Sequence, residues 1–238
     1  MRKYLFLLLL ALALGLSACG SAPEPGPDPE LDNVIGPSLF YSSARQDEAG
    51  QAWASFEMSV PHEVYDVFHG GAALTVSDDL MAFAEGESEA WLDEQEMLRL
   101  ENPVAESEFT LDLTLFYHDE EIVAVTGDGY SYVSGAAHPN IYAYGFVFDA
   151  ETGQRIAIGQ LLGEDWQEKL FPAIVKQIND GGEQALYFQD LETLLPEAFR
   201  EEGWYADGDS VYVAYNPAEI APYALGTPCF QLPRRWQR

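Results

Sequence analysis

With 238 residues, 47% of them hydrophobic, the chain has material for a substantial core, as one large domain or two small ones. Its 40 acidic against 11 basic residues give a formal charge of −29, which disfavours contact with nucleic-acid phosphates and attracts cations and basic proteins. The same acidity also suits solubility or salty surroundings. No Gly-x-Ser-x-Gly, zinc-hydrolase helix, phosphate loop or dinucleotide fingerprint occurs in the sequence.

Arg2-Lys3, an apolar run over residues 4–14 and Leu16-Ser17-Ala18-Cys19-Gly20 spell a short signal peptide ending at a lipoprotein cleavage box. The run is too short to span a membrane stably. A Cys directly after a small residue is what the processing chemistry requires, since its thiol takes the diacylglycerol and its freed amino group is then acylated. Residues 1–18 are therefore expected to be removed and Cys19 to become the lipid anchor. Cleavage takes Arg2 and Lys3 with it, leaving nine bases against 40 acids and a formal charge of −31. Only Cys229 then remains, so no intrachain disulfide is expected, and its setting between Pro228 and Phe230 reads as that of a small buried residue. Residues 19–37, rich in Pro, Gly and acids, read as an extended tether, with the fold beginning near Ser38.

Residues 53–60 read as a strand ending at Pro61. On a helix His62, Asp66 and His69 would share a face able to hold a metal, but Gly70-Gly71 stops such a helix after two turns and the His-Glu-x-x-His spacing is missing, so a structural role is expected. Residues 77–99 carry one apolar stripe through Leu80, Phe83, Ala84, Trp91 and Leu98, which predicts a helix opened by Ser77 and weakened, or split, at Gly86. Its many carboxylates read as a solvated face. Residues 109–117 alternate as a half-buried antiparallel strand. Turns at Asp119-Glu120 and Gly127-Asp128-Gly129 then predict strands over residues 122–126 and 130–134.

Past the loop Gly135-Ala136-Ala137-His138-Pro139-Asn140, Tyr142, Tyr144, Phe146 and Phe148 fall on one side of a strand and Ile141, Ala143, Gly145 and Val147 on the other. Asp149-Ala150-Glu151-Thr152-Gly153 is a turn before an extended run over residues 155–158. Residues 164–180 form a helix interrupted or kinked at Pro172, and residues 191–199 a short one. Residues 211–215 and 230–232 return to strand, with Asp207-Gly208-Asp209-Ser210 as a hairpin turn. Residues 215–226 form an ordered loop packed by Tyr215, Ile220 and Tyr223. The fold class expected is α+β, mainly an antiparallel sheet (meander) with several helices packed against it. The basic C-terminal residues 234–238 read as a tail able to touch the acidic body.

Ser134-Gly135-Ala136-Ala137-His138-Pro139-Asn140, then Phe148-Asp149-Ala150-Glu151-Thr152-Gly153, then Tyr215-Asn216-Pro217-Ala218-Glu219-Ile220-Ala221-Pro222-Tyr223-Ala224-Leu225-Gly226 resemble the extracytoplasmic domain family of the anti-sigma factor RsiV. That family is also similar to the non-catalytic region of the peptidoglycan deacetylase PdaC. The resemblance covers roughly the last hundred residues and implies a PdaC-like part over residues 38–126 and an RsiV-like part over residues 127–238. Where the family has Gly-Gly-Ala-His, this chain has Gly135-Ala136-Ala137-His138, so Ala136 is expected to sit differently or to bear strain. The deacetylase's Thr-Phe-Asp-Asp-Gly and His-x-x-x-His motifs have no counterpart here.

The expectation is a non-enzymatic, lipid-anchored protein on the extracytoplasmic side of the cell envelope. In a two-membrane cell Gly20 after the anchor points to the outer membrane. The resemblance implies lysozyme or another cationic wall-active protein as partner. Peptidoglycan is the alternative, held through His138, Asn140, Tyr142 and Tyr144. An envelope hydrolase built on His62, His69 and His138 is a further alternative. No cofactor, metal or nucleic-acid partner is expected.

Overall fold

The protein is described by a computed structural model over residues 39–103 and 105–235. The signal peptide, Cys19 and the tether lie outside the described residues. Five strands form the larger sheet, in the order β1 (Leu39–Gln46), β2 (Ala52–Val60), β3 (Ser107–His118), β4 (Ile122–Val133) and β5 (Asn140–Asp149). All neighbours run antiparallel except β2 and β3, which are parallel. A parallel pair needs a long crossover. Here it is the one-turn helix α1 (Glu63–Asp66) followed by the 30-residue α2 (Ala72–Glu101). The α+β class is as read from the sequence, with this parallel joint added between a hairpin and a three-stranded meander.

Helix α2 buries Ala72, Val76, Leu80, Ala84, Ser88, Trp91, Leu92 and Gln95, a single stripe at four- and three-residue steps. The stripe begins at Ala72, so the helix starts after Gly71 and not at Ser77. Gly86 does not divide it. That glycine faces open space, and its cost of about 1 kcal/mol is offset by packing on both sides of it. Against the stripe lie Phe56 and Met58 of β2, Phe109, Leu111 and Leu113 of β3, Val123 and Val125 of β4, and Phe146 and Phe148 of β5. Phe56 and Phe109 stack at 4.8 Å between ring centres.

The expected turn at Gly127-Asp128-Gly129 is absent, because β4 runs straight through it. Both glycines face α2, in the row that also holds large residues on either side. A Cβ on Gly127 would lie 2.4 Å from Leu113 Cδ2, and one on Gly129 would lie 2.9 Å from Tyr144 Cε2. The glycines are there to make room for neighbours, which is a packing role inside a strand.

The second face of the sheet is covered at one end only. Ile122, Ala124 and Val147 enter a separate core built by α3 (Ile158–Leu162), α4 (Trp166–Asp180), α5 (Leu191–Ala198) and a small antiparallel sheet of β6 (Trp204–Ala206), β7 (Ser210–Ala214) and β8 (Cys229–Pro233). Residue 155 makes one bridge to Phe148, and Ile158 already opens α3, so the extended run expected there is short. Pro172 lies inside a continuous α4. Asp119 and Asp207 each accept two backbone N–H groups in their hairpin turns. Burial raises the Asp119 pKa, but these N–H donors and the Tyr117 hydroxyl outweigh it and hold the carboxyl below its usual value. Arg234 reaches back to Glu121 at 2.9 Å, which ties the end of the described chain to the acidic body.

Cys229 is half-buried where the sequence suggested a fully buried residue, and its Sγ lies 3.5 Å from the Tyr205 hydroxyl.

Candidate binding surface

Alternation along the strands sends one set of side chains to α2 and the other outward. Read across the register, the outward rows are Ala44, Ser55, Glu108 and Tyr132, then Ser42, Glu57, Thr110, Tyr130 and Ile141, then Phe40, Ser59, Asp112, Asp128 and Ala143. No Lys, Arg or His stands in these rows. The C-terminal unit covers the far end of this face, beyond Thr126, and no described element covers the rest. Phe40 is 60% and Tyr130 37% exposed. Asp112 and Asp128 face each other directly across β3 and β4. Like charges in that arrangement repel. Asp112 is held by the Ser59 hydroxyl at 2.5 Å. Asp128 lies near enough to Tyr205 that it adds to burial in raising that hydroxyl's pKa.

At the open end of the same face, Trp53, Ser55, Glu106, Glu108, Tyr132 and Ser134 line a shallow groove of about 290 Å³. The Arg99 guanidinium lies 4.2 Å from the Trp53 ring centre, with its Nη1 buried and without a hydrogen-bond partner.

The residues singled out in the sequence are not brought together on this face. Tyr142 and Tyr144 point to the α2 side. Tyr142 packs on Phe109 at 5.4 Å, and its hydroxyl lies 3.4 Å from Ser131. Tyr144 is 5% exposed and donates to Glu87 Oε1 at 2.7 Å. Burial first and the Glu87 carboxylate second raise its pKa. Its side chain is part of the core between the sheet and α2. His138 and Asn140 are exposed, away from the outward rows. The His138 ring lies 4.2 Å from that of Tyr223, whose hydroxyl donates to the Pro139 carbonyl at 2.5 Å. Ala136 avoids strain because Gly135 takes the left-handed turn, at φ 89°. His62 sits 3.3 Å from Glu63 and 3.9 Å from Asp66, without His69. Among the described residues no group of three or more His, Cys, Asp or Glu is placed to hold a metal ion.

A structural role emerges for the Tyr215-Asn216-Pro217-Ala218-Glu219 stretch that aromatic packing alone did not suggest. Asn216 Oδ1 accepts from the Ala143 N–H at 3.0 Å, and Arg200 Nη2 donates to the Ala143 carbonyl at 3.1 Å and to Asn216 Oδ1 at 2.9 Å. Glu219 accepts from the Asn216 backbone and side chain at 2.6 and 3.0 Å. These side chains satisfy the free edge of β5 as a neighbouring strand would. One residue pair further on, the Gly145 N–H donates to the Glu202 carbonyl at 2.7 Å. The asparagine and glutamate three residues apart, around a proline, were the available signal.

Residues 160–235 match a protein family described as a protein of unknown function, DUF3298. Two crystal structures are similar in outline. A DUF3298 family member from Bacteroides fragilis NCTC 9343 is 14% identical, with a TM-score of 0.45 over 83% of this chain and 89% of its own. A DUF3298 family protein from Pseudomonas aeruginosa PAO1 is 14% identical, with a TM-score of 0.49 over 85% of this chain and 92% of its own. No curated protein matches the chain. The segment that matches the DUF3298 family is thus the C-terminal unit, from within α3 to just past β8.

Proposed function

We propose that the protein is a lipid-anchored, extracytoplasmic and non-catalytic binding module of the RsiV-like kind, whose partner is a basic envelope-active protein such as lysozyme. The observation that carries this reading is the broad sheet face that no other described residues cover, its outward rows set with acids and without a Lys, Arg or His, on a chain of formal charge −29. Such a field raises the encounter rate with a basic protein and suppresses contact with acidic ones. The signal peptide and Leu16-Ser17-Ala18-Cys19 motif support the anchor.

The test uses the full chain extracted from membranes in a non-ionic detergent. Mass analysis of its first peptide is expected to show a lipidated Cys19. Calorimetric titration with lysozyme is expected to show saturable binding at low salt that weakens, without vanishing, at high salt. An unlipidated N-terminus removes the anchor, and no binding at either salt removes the partner.

A further inference from the structure

Away from the C-terminal unit, the outward face of the larger sheet is covered by no other described element. Three outward rows across five strands, with strands ~4.8 Å apart and outward residues ~6.7 Å apart along each, give a footprint of roughly 500 Å². That is the scale of one side of a small protein–protein contact. The face is firm because α2 packs its reverse side, so a partner would meet a preorganised surface. The Asp112–Asp128 pair lies in the row nearest the C-terminal unit, together with the exposed ring of Phe40; Glu57 and the exposed Tyr130 stand in the middle row and Glu108 in the third.

The acids of α2 are differently placed. On α2, Asp79 is paired with Arg155, and Asp93 with Arg45. The remaining acids of that helix lie on a convex cylinder, where a partner touches few at once. On the sheet the acids share one plane, and the directly opposed pair is relieved when a cation comes between them.

We infer that this face is the docking surface, and that its occupant is a folded basic protein that sets Lys and Arg side chains against the Asp112–Asp128 row. The inference rests on the proposed function and locates it on the molecule.

Two double variants that change the net charge equally test it: Asp112→Asn with Asp128→Asn on the face, and Glu89→Gln with Glu94→Gln on α2. The Asp112→Asn change keeps an acceptor oxygen for the Ser59 hydroxyl, so thermal unfolding of the face variant is expected at or above the wild-type midpoint. In titrations of the full chain in detergent with lysozyme, the face pair is expected to weaken binding tenfold or more and the helix pair less than twofold. Equal weakening by both pairs would reduce the attraction to overall charge and overturn the inference while leaving the proposed function standing. No binding by the wild type, to lysozyme or to a second basic protein such as cytochrome c, overturns both. Self-association of the wild type that the face pair strengthens would mean a second copy covers the face, and would also overturn it.

Discussion

Gly145→Ala is expected to lower the unfolding free energy by about 3 kcal/mol, because this glycine is where the edge of β5 meets the C-terminal unit. Its added Cβ would lie 2.3 Å from the Trp204 carbonyl oxygen and 2.6 Å from the carbonyl carbon. Those are backbone atoms, and the backbone there is fixed from both sides. Gly145 donates to the Glu202 carbonyl and bridges Gly203, while Ala214 donates to the Gly203 carbonyl. Trp204 is itself 1% exposed in the second core. The clash can be relieved only by moving the small sheet away from β5. Gly127→Ala is the informative contrast, since its Cβ would meet the ends of Leu113 and Leu111, which can turn aside, and a cost nearer 1 kcal/mol follows. Urea midpoints for the two variants check the order. Equal midpoints would mean that the C-terminal unit is not closely seated on β5.

Arg155→Ala is expected to cost about 2 kcal/mol, as one side chain here joins three parts of the molecule. Its guanidinium bonds Asp79 of α2 at 2.6 Å, approaches Glu202 at 3.5 Å and lies 4.7 Å from the centre of the Phe146 ring. Arg155 and Asp79 are 25% and 31% exposed at the side chain, so neither charge is fully hydrated. Truncation removes the packing of the arginine stem and leaves Asp79 half-buried beside Glu202 without its cation. A double-mutant cycle with Asp79→Ala should return a favourable coupling of about 1 kcal/mol. A cost for Arg155→Ala within about 0.5 kcal/mol would show that the pair is an ordinary surface contact.

How far the sequence could be read depended on whether the signal was local. The inward sides of β2, β3 and β5 were legible, since Phe109, Leu111 and Leu113, and Phe146 and Phe148, repeat with the period of a strand. Period alone does not say which neighbour a glycine makes room for. Gly127 and Gly129 look like a turn until Leu113 and Tyr144 are seen beside them. Strand β1 was missed because Leu39, Tyr41, Ser43 and Arg45 alternate only weakly with Phe40, Ser42 and Ala44. The parallel joint of β2 to β3 has no sequence mark, as pairing direction depends on the path of the crossover.

The site was less legible than the fold. That the strand over residues 140–149 has two sides was plain, but which side faces α2 is a matter of register with β4. Tyr142 and Tyr144 therefore looked like surface tyrosines, whereas Tyr130 holds the outward place. The Asp112–Asp128 row joins residues on separate strands, and neither aspartate marks itself when read alone. The capping of β5 by Arg200 and Asn216 has the same character.

The most direct test of the account is carbodiimide labelling of carboxylates in the full chain, with and without saturating lysozyme, read by peptide mass. The account predicts that Glu57, Glu108, Asp112 and Asp128 lose reactivity on binding while Glu89 and Glu94 of α2 keep theirs. Protection confined to α2 or to the His138 loop, with the open face still fully reactive, would contradict it.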